Sequence, residues 1–494
     1  RVLEYPKEKM KVLINVFLKD FHNKGVAQLS AILDKPLLES PAKCKLTQVA
    51  EINPSPKVIQ RERSSVAIVT YELEGVAPGG AGTLIASLVK LLLSKDIEVL
   101  LLYDSMPKSK VQVWQRQFNS NFLHAFKLED LASSMSKTTF NGNIFAQKSM
   151  QWAQGLEALY KIKSFNAVEL FDYAGPSTAF LLRRLCNESV IPLSVTVIVR
   201  SHGSLEIIDS AENAQVTRIN LERSLMERFS LAFADVVFFP SKFLLNFYST
   251  ALEMDFGHGV VAAPPINTLA PFHETGLMNK PWQQKNILVL GKIQANKGVF
   301  MIVEALKLLL SNPGVQLKPF TVDFVGIDWI DTVTKQSTVQ ELTAAIPPWL
   351  QSYVRLMGPV PHADLPMFIR KYRAAVFAST FESFCYAAHE LHAARIPLII
   401  SDAHVFKAFS SAVSFKWKSN TLGSLASALH EAIEDDDKIK AKSTSQRLSY
   451  GSPFVSYKTV FNREIPRFEN LRERCKLRDQ ITSVFPFAHA QCSR

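Results

Sequence analysis

Short apolar runs rich in β-branched residues alternate along this chain with longer stretches whose apolar positions recur every three to four residues. The first 60 or so residues lack that rhythm and carry Lys/Pro-rich pieces such as Lys35-Pro36 and Asn53-Pro54-Ser55-Pro56. It begins at Ser65–Tyr71, the pattern of a strand buried on both faces. A Gly/Pro loop over Val76–Gly82 and a helical stretch over Thr83–Ser94 follow. Ile97–Tyr103, Ala167–Phe171, Leu193–Val199 and Val236–Phe239 read as further strands, whereas Lys108–Ala146 yields no element. A polar, Pro-containing link over Phe272–Gln284 interrupts the series. A second series then opens with Asn286–Leu290 and continues through Phe320–Val325, Val354–Met357, Ala374–Phe377 and Leu398–Ile400. Past Asp402 the signal fades, and the Lys/Arg-rich stretch beyond Ser443 reads as helical in part.

Strands alternating with helices predict parallel sheets covered on both faces. The expected organisation is an N-terminal extension over 1–62, one α/β domain over 63–280, a second over 281–430, and a helical tail over 431–494. Composition agrees: 47% hydrophobic and 20% charged residues is the balance of a folded protein. No apolar run approaches the roughly 20 residues of a membrane span. Five scattered cysteines, odd in number and without a CxxC pair, argue against a zinc site or disulfide scaffold and suit a reducing, cytoplasmic setting. The net charge of +11 favours anionic partners such as nucleotide phosphates, and is compatible with peripheral contact with an anionic membrane surface. No interleaved basic and aromatic pattern points to nucleic acid.

In doubly wound sheets ligands sit at the carboxyl ends of strands, beside helix N-termini whose free N–H groups favour anions. Three stretches fall there. Gly79-Gly80-Ala81-Gly82 follows the first strand and lets backbone approach a ligand closely. With Asp104 at the end of the next strand, Gly80 and Gly82 also suggest a dinucleotide site, but Ile85 occupies the third glycine position. Gly291-Lys292-Ile293-Gln294-Ala295-Asn296-Lys297-Gly298 opens the second domain with two lysines that could stabilise a departing diphosphate. Glu382 and Glu390 flank a helix start, a little over two turns apart and so on one face, with the Ser383, Phe384 and Cys385 amides at its N-terminus. Taken singly, each stretch is explained almost as well by a tight turn, solvated lysines or chance spacing. The acidic run Glu434–Asp437 reads as a solvated loop rather than a metal site.

Together, and in this order, residues 65–430 resemble the family 4 group of retaining glycosyltransferases with the GT-B fold, relatives of glycogen synthase. Glu382 and Glu390 match its E-x7-E motif, Lys297-Gly298 its phosphate-binding Lys-Gly, and Phe324-Val325-Gly326 and Val354–Gly358 its intervening strands. Gly79-Gly80 resembles the acceptor-side glycine loop, and His202-Gly203 the His-Gly near the donor sugar. Leu221-Glu222-Arg223, Ala234-Asp235 and Pro240-Ser241 follow the family's helix-strand-Pro-Ser order. Two positions depart: Lys292 stands where arginine is usual, and Arg395 where a glycine usually precedes the X-Pro.

The resemblance implies two Rossmann-like domains facing across a cleft and a metal-independent transferase with no cofactor beyond its nucleotide-sugar donor. Glu382, His202, Lys297 and Lys292 would carry the chemistry. Glu390, Gly291 and the amides of Ser383, Phe384 and Cys385 would hold the donor. Gly79, Gly80 and Asp172 would meet a glycan, lipid or small-molecule acceptor. The alternatives are a non-catalytic partner of the same fold and an NAD-dependent oxidoreductase.

Overall fold

The computed structural model describes residues 63–445, except 77–79, 133–142, 186–187, 212–216, 253, 255, 267–284, 315–316, 331–334, 403 and 420. The extension 1–62, the stretch 446–494 of the tail, and Gly79 lie outside the described residues.

Seven strands form the first sheet: β1 (Ser65–Thr70), β2 (Glu98–Tyr103), β3 (Leu123–Lys127), β4 (Ala167–Phe171), β5 (Thr196–Arg200), β6 (Val236–Phe239) and β7 (Gly259–Val261). Their order is β3-β2-β1-β4-β5-β6-β7, and neighbouring strands are parallel throughout. Six strands form the second: β8 (Asn286–Leu290), β9 (Thr321–Val325), β10 (Val354–Gly358), β11 (Ala374–Phe377), β12 (Leu398–Ser401) and β13 (Ser414–Trp417). Their order is β10-β9-β8-β11-β12-β13, again parallel. The order reverses direction beside β1 and beside β8, and these two switch points are where ligands lodge in such sheets.

Alternation along β1 shows how the core is divided. Val66 and Ile68 face Ile85, Leu88 and Val89 of the helix Gly80–Leu93, while Ala67 and Val69 face Trp152 and Leu156 of the helix Ile144–Ile162. In the second sheet, Ile287 and Val289 pack with Ile302 and Leu306 of the helix Val299–Leu310. Leu288 packs on the other face with Ala388 and Leu391 of the helix Tyr386–Ala393.

Several expected elements shift, each for a local reason. The strand expected from Leu193 starts at Thr196, because the Val195 amide closes a turn onto the Pro192 carbonyl at 3.0 Å. The helix expected from Thr83 starts at Gly80, its early amides satisfied by the Glu72 carboxylate. The helix Leu422–Glu434 runs across the boundary placed at 430 and buries Leu429 and Ile433 against the second sheet's core.

The acidic run corrects its reading as a solvated loop. Asp435 caps the helix Asp436–Thr444, accepting from the Lys438 amide at 2.9 Å. Asp436 takes Lys285 at 2.7 Å and the fully buried Arg373 at 2.8 Å, which holds its carboxyl down to about 2. The run therefore ties the start of the tail to the second domain.

Candidate active site

The segment Asn296-Lys297-Gly298 lies directly against the end of β11. The Thr380 amide donates to the Asn296 carbonyl at 2.9 Å, and a Cβ on Gly298 would sit 2.0 Å from the Ala378 carbonyl oxygen. That packing delivers the Lys297 ammonium to Glu382 Oε1 at 2.7 Å, where the Ser379 hydroxyl also donates at 2.8 Å. Glu382 is buried, so its carboxylate is held in place rather than solvated. Gly291 has φ +150°, and its carbonyl oxygen lies 1.6 Å from where a Cβ on Gly326 would be, so only glycine fits at 326.

The helix Tyr386–Ala393 starts at Cys385, which takes a left-handed conformation (φ 64°, ψ 69°) and offers no side-chain cap. A non-glycine residue in that region is strained, and such strain gathers at functional sites. Burial raises the Cys385 thiol well above its usual range, so it stays neutral. The Phe384 ring is buried and stacked on His389, with centroids 4.0 Å apart. What Phe384 can give a ligand is therefore its amide. Glu390, in the second turn of this helix, is buried and accepts from His362 Nε2 at 3.2 Å.

Across the cleft, a Cβ on Gly203 would lie 3.8 Å from Ser383 Cβ, and one on Gly80 3.9 Å from Tyr386. The His202-Gly203 turn and Gly80 thus both face the second domain's helix start. The His202 ring stands edge-on to Phe171, and its Nε2 is buried without a hydrogen-bond partner. Burial, with the Arg200 charge adding to it, pushes its pKa down to about 3, so it is a neutral imidazole near neutral pH. The Tyr386 hydroxyl and Asn296 Oδ1 are likewise buried without partners. Of the nine such atoms among the described residues, these three belong to the segments that meet at this cleft.

Asp172, expected at the acceptor, is fully buried and turned inward instead. Its carboxylate accepts from the Ser201 hydroxyl at 2.9 Å, the Tyr248 hydroxyl at 3.0 Å and the His202 amide at 2.9 Å. It shapes the turn that carries His202. Lys292 Nζ stands 5.8 Å from the Trp329 ring centroid and attracts the Glu72 carboxylate of the first domain. Glu72 occupies the amides of Ala81 and Gly82, where a dinucleotide's pyrophosphate would have to bind. Arg395 adopts φ +68°, which explains why glycine is usual there and costs this chain about 1–2 kcal/mol. Sequence reading singled out none of Glu72, Glu74, His362, Trp329 or Tyr386, whose roles depend on contacts between distant segments.

Comparison with known proteins bears on this geometry. Residues 284–435 match the family model of glycosyl transferases group 1. The matched segment carries Lys292, Lys297, Glu382 and Glu390. No curated protein matches the sequence. Among solved structures, sucrose-phosphate synthase from Thermosynechococcus elongatus superposes with a TM-score of 0.57 at 15% identity, covering 86% of this chain and 100% of that one. HepE from Anabaena, in complex with UDP and glucose, gives 0.54 at 15% identity, covering 86% and 100%. TarM from S. aureus, with fondaparinux, alpha-GlcNAc-glycerol and UDP, gives 0.57 at 7% identity, covering 83% and 99%. Likeness at such identities establishes the fold, which is GT-B. Among the described residues no helix is long and apolar enough to cross a membrane.

Proposed function

We propose that the chain is a glycosyltransferase that moves a sugar from a nucleoside-diphosphate sugar to an acceptor hydroxyl with retention of anomeric configuration. The observation that carries this reading is the Lys297–Glu382 pair at the second domain's switch point, in a segment matching glycosyl transferases group 1 and facing an unpaired neutral histidine.

The donor lies on the second domain. Glu390 binds the ribose, and Gly291 lets the chain come close. Lys292, Lys297 and the amides of Ser383, Phe384 and Cys385 hold the diphosphate. Glu382 and His202 contact the transferred sugar. The acceptor, a glycan, lipid or small molecule, enters past Gly79-Gly80. Asp172 supports His202 from behind instead of touching the acceptor. As the glycosidic bond lengthens, negative charge grows on the leaving phosphate and positive charge on the sugar ring. Fixed ammonium groups favour the first and a fixed carboxylate the second. The departing phosphate takes the acceptor proton on the same face, so no side chain serves as nucleophile.

The test is transfer itself, run with UDP-, GDP- and ADP-sugars over a panel of saccharide and lipid acceptors. Release of one nucleoside diphosphate is expected, with an α-linked product from an α-linked donor by proton NMR. An inverted product would end the retaining mechanism, and absence of transfer from every donor would favour a non-catalytic partner.

A further inference from the structure

We propose that His362 is a positioning residue that joins the donor-binding carboxylate of Glu390 to Glu74 of the first domain, so that holding the donor and closing the cleft become one event. The inference rests on Glu390 as a donor ligand.

His362 lies in a short 3₁₀ turn, His362–Asp364, between β10 and β11. Its Nδ1 is 2.8 Å from Glu74 Oε1, and its Nε2 is 3.2 Å from Glu390 Oε1. Glu74 sits in the turn just after β1, at the first sheet's switch point. Glu390 belongs to the helix that opens the second domain's cradle. Carboxylates only accept hydrogen bonds, so both ring nitrogens must carry protons and the ring is an imidazolium. The two carboxylates raise its pKa to about 10, which keeps it charged at neutral pH.

A planar ring with two opposed donors cannot satisfy one carboxylate at will and ignore the other. Its orientation toward Glu390 fixes where Glu74, and hence the first domain, must stand. The Glu390 side chain is only 5% exposed, against 25% for His362 and 24% for Glu74. Glu390 therefore needs a cation, and His362 supplies it through Oε1, leaving Oε2 for a ribose hydroxyl. When the domains part, the ring loses one of its carboxylates and its hold on Glu390 loosens. Donor affinity and closure are then linked, as any two equilibria sharing a contact must be.

The variants are Glu74→Gln and His362→Gln. Glu74 is partly exposed and its substitution is isosteric, so that variant keeps its fold. On the unliganded chain, small-angle scattering is expected to show a larger radius of gyration for each variant than for the native chain, with no further increase in the double variant. Titration with UDP, GDP and ADP separately is then expected to show affinity for the bound nucleotide falling about tenfold in Glu74→Gln, within the usual range of coupling between sites. The fall in the double variant should not exceed that in His362→Gln alone. Unchanged scattering and unchanged affinity in Glu74→Gln would overturn the proposal, because an ion pair that only adds stability moves neither. A native chain that binds no nucleoside diphosphate would overturn the donor reading instead, and the scattering of the unliganded variants would still decide the link between the domains.

Discussion

Replacing Lys297 by alanine is expected to lower turnover on the order of 10²-fold, with a smaller change in the KM for donor. In the resting chain the ammonium sits 2.7 Å from Glu382, on a segment fixed by the Thr380–Asn296 hydrogen bond. Its charge matters most when the diphosphate is leaving, so its loss falls on kcat rather than on binding. A factor of 10² corresponds to about 2.7 kcal/mol, the range measured for deleting one preorganised donor to a developing anion. Lys297→Ala also leaves the buried Glu382 carboxylate short of a cation, which is destabilising in itself. Turnover should therefore be measured well below the variant's own melting temperature, beside Lys297→Arg, which keeps the charge. Near-native turnover in Lys297→Ala would remove the leaving-group role.

Gly298→Ala is expected to be a severe single-methyl change, costing on the order of 3 kcal/mol in stability. Two penalties coincide. The residue sits at φ +71°, where an L side chain is strained, and the new methyl would lie 2.0 Å from the Ala378 carbonyl oxygen, an atom of the strand end that cannot step aside. Relief comes only if the Lys297 segment separates from Ser379 and Glu382, so residual activity should fall with stability. Gly423→Ala is the control: a Cβ there meets nothing within 4 Å, inside the helix Leu422–Glu434, and stability should hold or rise. Thermal melts of the two variants side by side check the contrast, and a Gly298→Ala chain as stable as the native one would mean that this backbone contact yields at little cost.

Strands inside each sheet announce themselves in the sequence, and of the four edge strands only Val354–Gly358 does. Every residue of Ser65–Thr70 is buried, as are all but one of Glu98–Tyr103, so their composition has to be apolar. Of the missed strands, two lie at an edge of the first sheet. Only Leu123 of Leu123–Lys127 is buried, and Gly259–Val261 is three residues long and partly exposed. The third, Ser414–Trp417, ends the second sheet with a serine and a lysine among its four residues. An edge strand needs one apolar face at most, and a short one leaves little pattern to find.

The site divides the same way. Lys297 and Glu382 follow strand ends and Glu390 lies within the helix that comes next, positions that order along the chain betrays. Asp172 is held inward by Ser201 and His202, from the turn after β5, and by Tyr248 of the helix Lys242–Ala251, contacts that no local pattern shows. The start of the helix at Gly80 is hidden for a related reason: its cap is the carboxylate of Glu72, eight residues upstream, where capping rules do not look. His362 meets Glu74 only because two domains come together.

The central claim is that the second domain holds a nucleoside diphosphate through Glu390 and the lysine-bearing loop. Its most direct measurement is a thermal-shift titration of the full chain with UDP, GDP, ADP, CMP and NAD, repeated on Glu390→Ala. One nucleoside diphosphate should raise the melting temperature of the native chain, by an amount equivalent to about 2.7 kcal/mol at 100 times its Kd, and should lose most of that effect in the variant. Stabilisation by NAD alone, by no nucleotide, or equally in both chains would contradict it.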